Sequence, residues 1–445
     1  MPTLCIIAVS ALLRFPAAWD AAASARLAAR LQAIRQAGDP ATPADLAETL
    51  PQPPEGRNAA ALYNRAFQEI KPLREPLEDL EEQLPIIGTA DLPARDAPMD
   101  EPMLAAIRQY LARHEAALEL LHQAAELEHC AFDLDFEAGF AMEMPHLASL
   151  RHAARLLSLQ AVERAESGRP AEAAKALRAA LRTGHALRHE PILISALVRI
   201  ACDALAVRHL EWTLARCRFR PRLLPPIEAA LREEADPRLI ERAMVGERAM
   251  GIDAFNKYVL GPRRREVGLL APGLGHPGLP LMPAPIRKGD MLCYVGAMGR
   301  YVELARRPYP RNLVDGAETG DQLARDVPAY FPFTRMLLPA LGRVWEVGQE
   351  HMARCESARV ALAVLRYQAR RGHLPQRLDQ LTPDSLPDLP LDPYDGRPLR
   401  YRKAADGFVV YALGQNATDD GGETQRRPDG ADPPDIGFRY RRPRA

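Results

Sequence analysis

DPYDGRPLRY, residues 392–401, marks the point where the chain changes its period. Before it, apolar residues recur every three to four positions, and after it they alternate. Asp392 and Asp395 can accept backbone N–H bonds from residues just downstream. Pro393 fixes φ, and Gly396 permits a positive φ. These are the properties of a tight turn placed ahead of a strand, so the stretch reads as turn chemistry rather than catalysis. PLRYRK (398–403) and GFVVYAL (407–413) follow as strand candidates. AADG between them signals a hairpin with Asp406-Gly407 at the turn.

Upstream, helical periodicity dominates. Residues 335–371 read as the last and longest helical stretch, ending near Gly372. Alanine- and arginine-rich sequence from Asp20 reads as a helix stopped by Gly38 and Pro40. Thr42, Pro43 and Asp45 give the next helix an N-cap, a first-turn proline and a capping-box acid. Asn58 caps another helix, and residues 72–100 are proline-rich and loop-like. Residues 101–129 read as one long helix with Leu104, Ile107, Leu111, Leu118 and Leu121 on its apolar face. Phe132, Leu134 and Phe136 then alternate with Asp133, Asp135 and Glu137, which predicts a short strand or extended loop. Residues 147–189 read as a helical hairpin jointed at Gly168, and helical patterns cover 192–217, 224–235 and 237–251. A Gly/Pro-rich insertion spans 260–290, and helix returns near 290–306.

The fold class expected is therefore mainly α, built of helical hairpins, with a small C-terminal α+β domain carrying a short antiparallel sheet. Its divisions are an N-terminal segment 1–19, a helical body 20–350, a C-terminal module 351–438 and a basic tail 439–445. LCIIAVSALL (4–13) is apolar but short of the roughly 20 residues that span a bilayer. It reads as a degenerate or start-truncated signal or anchor, with a buried first helix as the alternative.

The totals exclude some functions. Lys plus Arg is 58 and Asp plus Glu is 58, so the net charge is zero and no overall positive field exists to gather nucleic acid. The six cysteines show no CxxC spacing for a zinc knuckle or a thioredoxin-type site. There is no GxSxG, SxxK, Walker A or GxGxxG motif.

Three groups of residues merit weighing as chemistry. His114, Glu115, Glu119, His122, Glu126 and His129 line much of one predicted helix and suggest a carboxylate–histidine site, or a solvated polar face. Asp133, Asp135 and Glu137 suggest a divalent-cation row, or the wet face of an edge strand. His185 and His189 lie four apart, as a metal pair requires, but without HExxH order; solvent-facing or capping histidines explain them better.

The C-terminal order of helix, proline-punctuated turn, strands and Asp/Gly-rich loop resembles the globular domain of type II secretion pseudopilins, specifically the major pseudopilin. The matching positions are Pro390, Asp392-Pro393-Tyr394, Gly396, Pro398 and Tyr401, then Leu413-Gly414, Gly421-Gly422 and Asp435-Ile436. The resemblance covers residues 352–438, about a fifth of the chain. It implies an α+β module whose closing loop binds calcium, here through Asn416, Asp419, Asp420 and Asp435. Asn416 stands where the family has an aspartate, which removes one negative charge and weakens the expected affinity. No pseudopilin processing motif precedes the module, and its helix carries Arg354, Arg359, Arg366, Arg370 and Arg371, so it is not expected to lie in a membrane. One helix of the hairpin, GRPAEAAKALRAAL (168–181), also resembles the second helix of a tetratricopeptide repeat, although no 34-residue period follows. The whole chain resembles planctomycete-type bacterial envelope proteins, a likeness that brings no activity with it.

The expected function is a non-enzymatic envelope protein. Its helical body would bind protein partners, its N-terminus would associate with the membrane, and nucleic acid would not be a partner. The alternative is a metal-dependent enzyme built on the carboxylates and histidines of 114–137.

Overall fold

The computed structural model describes residues 2–70, 80, 82–95, 97–263, 282–425 and 433–443, with side chains from Ala18 onward. Most of the 260–290 insertion and part of the 72–100 segment lie outside the described residues. The chain is mainly α-helical, with one three-stranded antiparallel sheet near the C-terminus.

Helix α1 (Pro2–Gln36) carries the apolar N-terminal run and the Asp20–Gln36 pattern in one continuous element. Gly38 follows at φ +76° and turns the chain. Among the described residues, no helix is long and apolar enough to cross a membrane. α2 (Pro43–Thr49) starts with the expected capping box between Thr42 and Asp45. α3 (Ala59–Glu69) is capped by the Asn58 side chain.

The single helix expected over 101–129 is two helices, α4 (Glu101–Arg113) and α5 (Glu115–Glu126). They meet at His114, whose φ of −110° and ψ of 21° break the helical ladder. Of the short strand or extended loop expected at 132–137, no strand forms, and residues 131–135 run without regular structure. Phe132 and Phe136 are buried as the alternation requires. The Asp135 carboxylate, however, accepts the N–H groups of Glu137 and Ala138 and curls the chain into a 3-10 turn over Phe136–Ala141.

α6 (Pro145–Glu166) and α7 (Pro170–His185) form the expected hairpin, with Gly168 at φ +65° between them. α8 (Leu193–Arg216) packs on both. Buried alanines at 153, 154, 173, 176 and 180 let these backbones approach closely. α9 (Leu224–Glu234) and α10 (Leu239–Ala254) follow, the latter continuing as a π turn over Phe255–Leu260. α11 (Ala284–Ala305), α12 (Arg311–Arg325) and α13 (Pro332–Gly342) build a second apolar core with α10. A Cβ at Gly316 of α12 would lie 2.3 Å from the Trp345 ring, so the fully buried indole depends on glycine there.

α14 (Val344–Arg371) takes up most of the expected 335–371 helix, which is divided between α13 and α14 at Arg343. Trp345, Met352 and Cys355 belong to the second core, whereas Val360 to Val364 belong to the first. The helix therefore runs through both.

The sheet consists of β1 (Arg400–Ala404), β2 (Gly407–Leu413) and β3 (Asp435–Arg441), in that order. The hairpin loop is Ala405-Asp406, one residue earlier than expected, because Gly407 already pairs with Ala404. A Cβ at Gly407 would lie 1.9 Å from the Tyr440 carbonyl oxygen, so glycine permits the close approach of β3. β3 includes residues 439–441 of the basic tail, a strand the sequence pattern did not announce. The sheet packs on α14 and α8, and Phe408, Val410 and Phe438 share the first core with α6 to α8.

The turn at 392–397 has the predicted chemistry. Asp392 is fully buried and its Oδ1 accepts the Tyr394 N–H at 2.8 Å. Its Oδ2 accepts the Leu413 N–H at 2.8 Å and an Arg400 guanidinium at 2.5 Å. Asp395 accepts the Arg397 N–H at 2.9 Å, and Gly396 sits at φ +73°. One side chain thus ties the turn to the far end of β2.

Candidate functional site

α4 and α5 lie against α6 and the start of α7, and a half-open groove of about 750 Å³ runs between them. Helical spacing places Glu115, Glu119, His122 and Glu126 of α5 along one wall. Arg108 of α4 continues that wall, and Glu163 and Arg164 of α6, Arg169 and Lys175 lie on the other side. Leu111 and Leu118 form the groove's apolar floor, their side chains buried in the first core.

The groove's electrostatics centre on Glu163, which is 1% exposed. Its carboxylate accepts Arg108 at 3.3 Å, Ser167 at 2.7 Å and Arg169 at 3.0 Å, and it also contacts Arg164. Glu172 adds a second carboxylate for Arg164, at 3.1 Å. Farther along, His122 Nε2 is 2.8 Å from Gln160 Oε1. Burial is the main cause that lowers the His122 pKa, and the nearby Lys175 charge also contributes, so the ring is neutral. Glu126 pairs with Arg178.

The candidate residues of 114–137 are not all brought to one place, since only Glu115, Glu119, His122 and Glu126 line the groove. His114 is buried, stacks on Tyr110 at 4.3 Å, and its Nδ1 lies 2.9 Å from the Tyr110 carbonyl. His129 gives its carbonyl to the Ala59 N–H at 2.8 Å. Asp133, Asp135 and Glu137 are exposed. Among the described residues, no group of three or more His, Cys, Asp or Glu side chains is arranged to hold a metal ion.

His185 corrects the solvent-facing expectation. It is 5% exposed and its Nδ1 lies 2.9 Å from Glu234 Oε1. His189 lies beyond the end of α7 and accepts a 2.7 Å bond from Arg188 Nε. Burial, with Arg188 beside it, depresses its pKa to about 4. Glu190 is buried and bonds His146 at 3.0 Å and Ser195 at 2.5 Å.

His185 belongs to a buried node where α7, α8, α9 and α14 meet. Arg199 and Glu234 are both fully buried, and Arg199 Nε donates to Glu234 Oε2 at 2.7 Å. Burial raises the Glu234 pKa, but Arg199 and His185 outweigh it and hold the carboxyl down to about 2. His351 of α14 contacts the Glu234 carbonyl at 3.0 Å through Nε2, and burial with the Arg199 charge lowers its pKa to about 4. Asp203 lies one turn after Arg199, and neither carboxyl oxygen has a hydrogen-bond partner among the described residues. Burial, then the Glu234 charge, pushes Asp203 well above the usual carboxylate range. Arg199 also lies 3.7 Å from Asp236, and this dry interior favours the neutral form of Asp203 beside these pairs. Gly184 makes the room, since a Cβ there would lie 2.4 Å from Asp203 Oδ1. The sequence carried a signal for this node: a charged pair at i, i+4 inside the apolar run LISALVRIACDALAV, residues 193–207.

The four residues expected at the calcium loop are engaged in local hydrogen bonds, and only Asn416 and Asp420 bond each other through their side chains. Asn416 turns its amide nitrogen to Asp420 at 2.7 Å. Asp419 accepts the Tyr411 hydroxyl at 3.1 Å and the Gly421 N–H at 2.9 Å, with Arg400 3.4 Å away. Asp435 is fully buried and accepts the Gly422 N–H at 2.8 Å through Oδ2. Burial, together with Asp419 and Asp420, raises its pKa. Asp419, Asp420 and Asp435 are therefore not arranged to hold a hard cation as they stand; to do so their oxygens would have to converge and Asn416 would have to rotate its amide.

Compared with protein-family models, curated proteins and solved structures, the chain gives no match. The functional reading therefore rests on the geometry.

Proposed function

We propose that the protein is a non-enzymatic envelope protein whose helical body binds another protein along the α4–α7 groove. The observation that carries this reading is the groove itself. It is long, half-open and lined by mixed charge, whereas compact ligand pockets are mostly apolar. Asp203, Glu234 and His351, whose pKa values are shifted by burial and mutual charge, are buried in the node and not in the groove. Within the same reading, the tetratricopeptide-like hairpin supplies two of the groove's helices. The pseudopilin-like module docks or recognises a secretion-associated partner, with calcium held by Asn416, Asp419, Asp420 and Asp435. The N-terminal apolar run associates with the membrane.

Site-specific photocrosslinking tests the proposal. A photoreactive side chain at exposed, groove-lining Ala112 in the full chain should give adducts with envelope proteins. Glu115→Arg with Glu119→Arg should abolish them. Adducts that survive charge reversal, or the absence of adducts, would contradict the reading.

The metal-dependent enzyme keeps one observation in its favour, since Glu115, Glu119, His122 and Glu126 line one groove. Calorimetry with zinc and manganese separates the two. Stoichiometric binding lost in His122→Ala would support the enzyme.

A further inference from the structure

The groove's charges are unevenly satisfied. Arg108, Arg164 and Arg169 all bond Glu163, and Glu126 pairs with Arg178. Three lining charges have no ion-pair partner among the described residues: Glu115, Glu119 and Lys175. Glu119 takes only a 3.4 Å bond from Gln123. All three are exposed.

Their positions form a pattern. Glu115 and Glu119 are one helical turn apart on α5, which sets their side chains about 6 Å from each other. Lys175 stands on the opposite wall at the level of His122, the next position along the same face. The open charge along the groove thus runs negative, negative, positive. The cationic cluster around Glu163 offers no free positive field to attract an acidic ligand, because carboxylates already bond its guanidinium groups.

Building on the reading of the groove as a protein-binding surface, we infer that its occupant is a helical segment of a partner protein bearing two basic side chains one turn apart and an acidic side chain on the next turn. A helix repeats its own i, i+4 spacing and so matches the two glutamates at their pitch. Its acidic residue meets Lys175. Exposed Ala112 offers apolar contact, and the three charges supply orientation and register.

The probe is a labelled 18-residue alanine/leucine-based helical peptide carrying Lys, Lys and Glu at i, i+4 and i+8. Its control carries Glu, Glu and Lys at the same positions. Anisotropy with the full chain should show the first binding about threefold to tenfold more tightly than the second. The difference should shrink as salt rises. It should also collapse in the E115Q/E119Q variant, whose unfolding midpoint should stay unchanged because both side chains are exposed. Equal affinity, the reverse preference, or a preference that survives E115Q/E119Q would overturn the inference. So would spermidine competing as well as the peptide, which would mark a site for small cations. Ala112 adducts together with a preference for the control peptide would leave the groove reading standing and remove only the charge assignment. No adduct and no peptide binding would remove both.

Discussion

Arg199 and Glu234 form an ion pair at 2.7 Å with neither side chain exposed to solvent, and Asp203 lies beside them without a hydrogen bond to either carboxyl oxygen. Of the two buried carboxyl groups, Arg199 and His185 hold Glu234 in its charged form, whereas burial and the Glu234 charge push Asp203 well above the usual carboxylate range. The node joins α7, α8, α9 and α14 and so links the elements beneath the sheet to the helical body.

The first prediction follows from that asymmetry. Arg199→Met strands the Glu234 carboxylate in the interior and should cost about 3–5 kcal/mol of stability. Asp203→Asn replaces a neutral acid by a neutral amide of the same size and should cost less than about 1 kcal/mol. Urea denaturation of the two variants decides it, and equal losses would show that Asp203 carries a charge.

Stability should peak near neutral pH. Burial lifts the Glu247 pKa to about 7, and Asp203 is also raised. Stability from these groups is complete below their unfolded values and is lost as pH rises through the folded ones. His351, His209 and His189 are held near about 4, chiefly by burial. Their contribution is complete above the ordinary histidine value and is lost as pH falls from there toward 4. Denaturation midpoints followed from acid to alkaline pH should fall on both sides of a maximum at roughly pH 6.5–7. A monotonic profile would contradict the assignment.

Asp392 should be the most sensitive residue of the C-terminal module. Asp392→Ala leaves the Leu413 N–H and the Arg400 charge without their carboxylate and should cost about 2–4 kcal/mol. Asp395→Ala removes a half-buried partner of Arg400 and should cost about 1 kcal/mol or less. Hydrogen exchange at Leu413 should accelerate in the first variant and barely change in the second.

Calcium affinity should respond to Asn416. Asn416→Asp restores a negative charge to the loop and should tighten calcium binding by calorimetry, from a weak value of about 10⁻⁴–10⁻³ M. It also removes the amide that now bonds Asp420. Calcium heats absent from both proteins would show that the loop is held by its own hydrogen bonds.

The period of the apolar residues made the helices and the first two strands legible. Thr42, Asn58, Gly168 and Gly396 marked boundaries because each has a local backbone requirement that neighbours do not override. The break at His114 was hidden, since helical residues continue on both sides. At 132–137 the extended-loop alternative holds up to Asp135 and the strand does not, because alternation specifies which side chains are buried but supplies no partner strand, and Asp135 caps a turn. β3 was obscured by its arginines. Arg439 donates its backbone N–H to Glu211 at 2.9 Å, a partner 228 residues away that no local pattern reveals. Among the candidate residues, α5 periodicity placed Glu115, Glu119, His122 and Glu126 on one face. The opposite wall, above all buried Glu163, depended on how α6 packs.

Hydrogen–deuterium exchange of the full chain, alone and with whatever protein is captured by crosslinking at Ala112, tests the central claim most directly. The account predicts protection confined to peptides covering 108–126 and 160–175, the two sides of the groove. Protection confined to other surfaces, or a groove that exchanges unchanged in the complex, would contradict it.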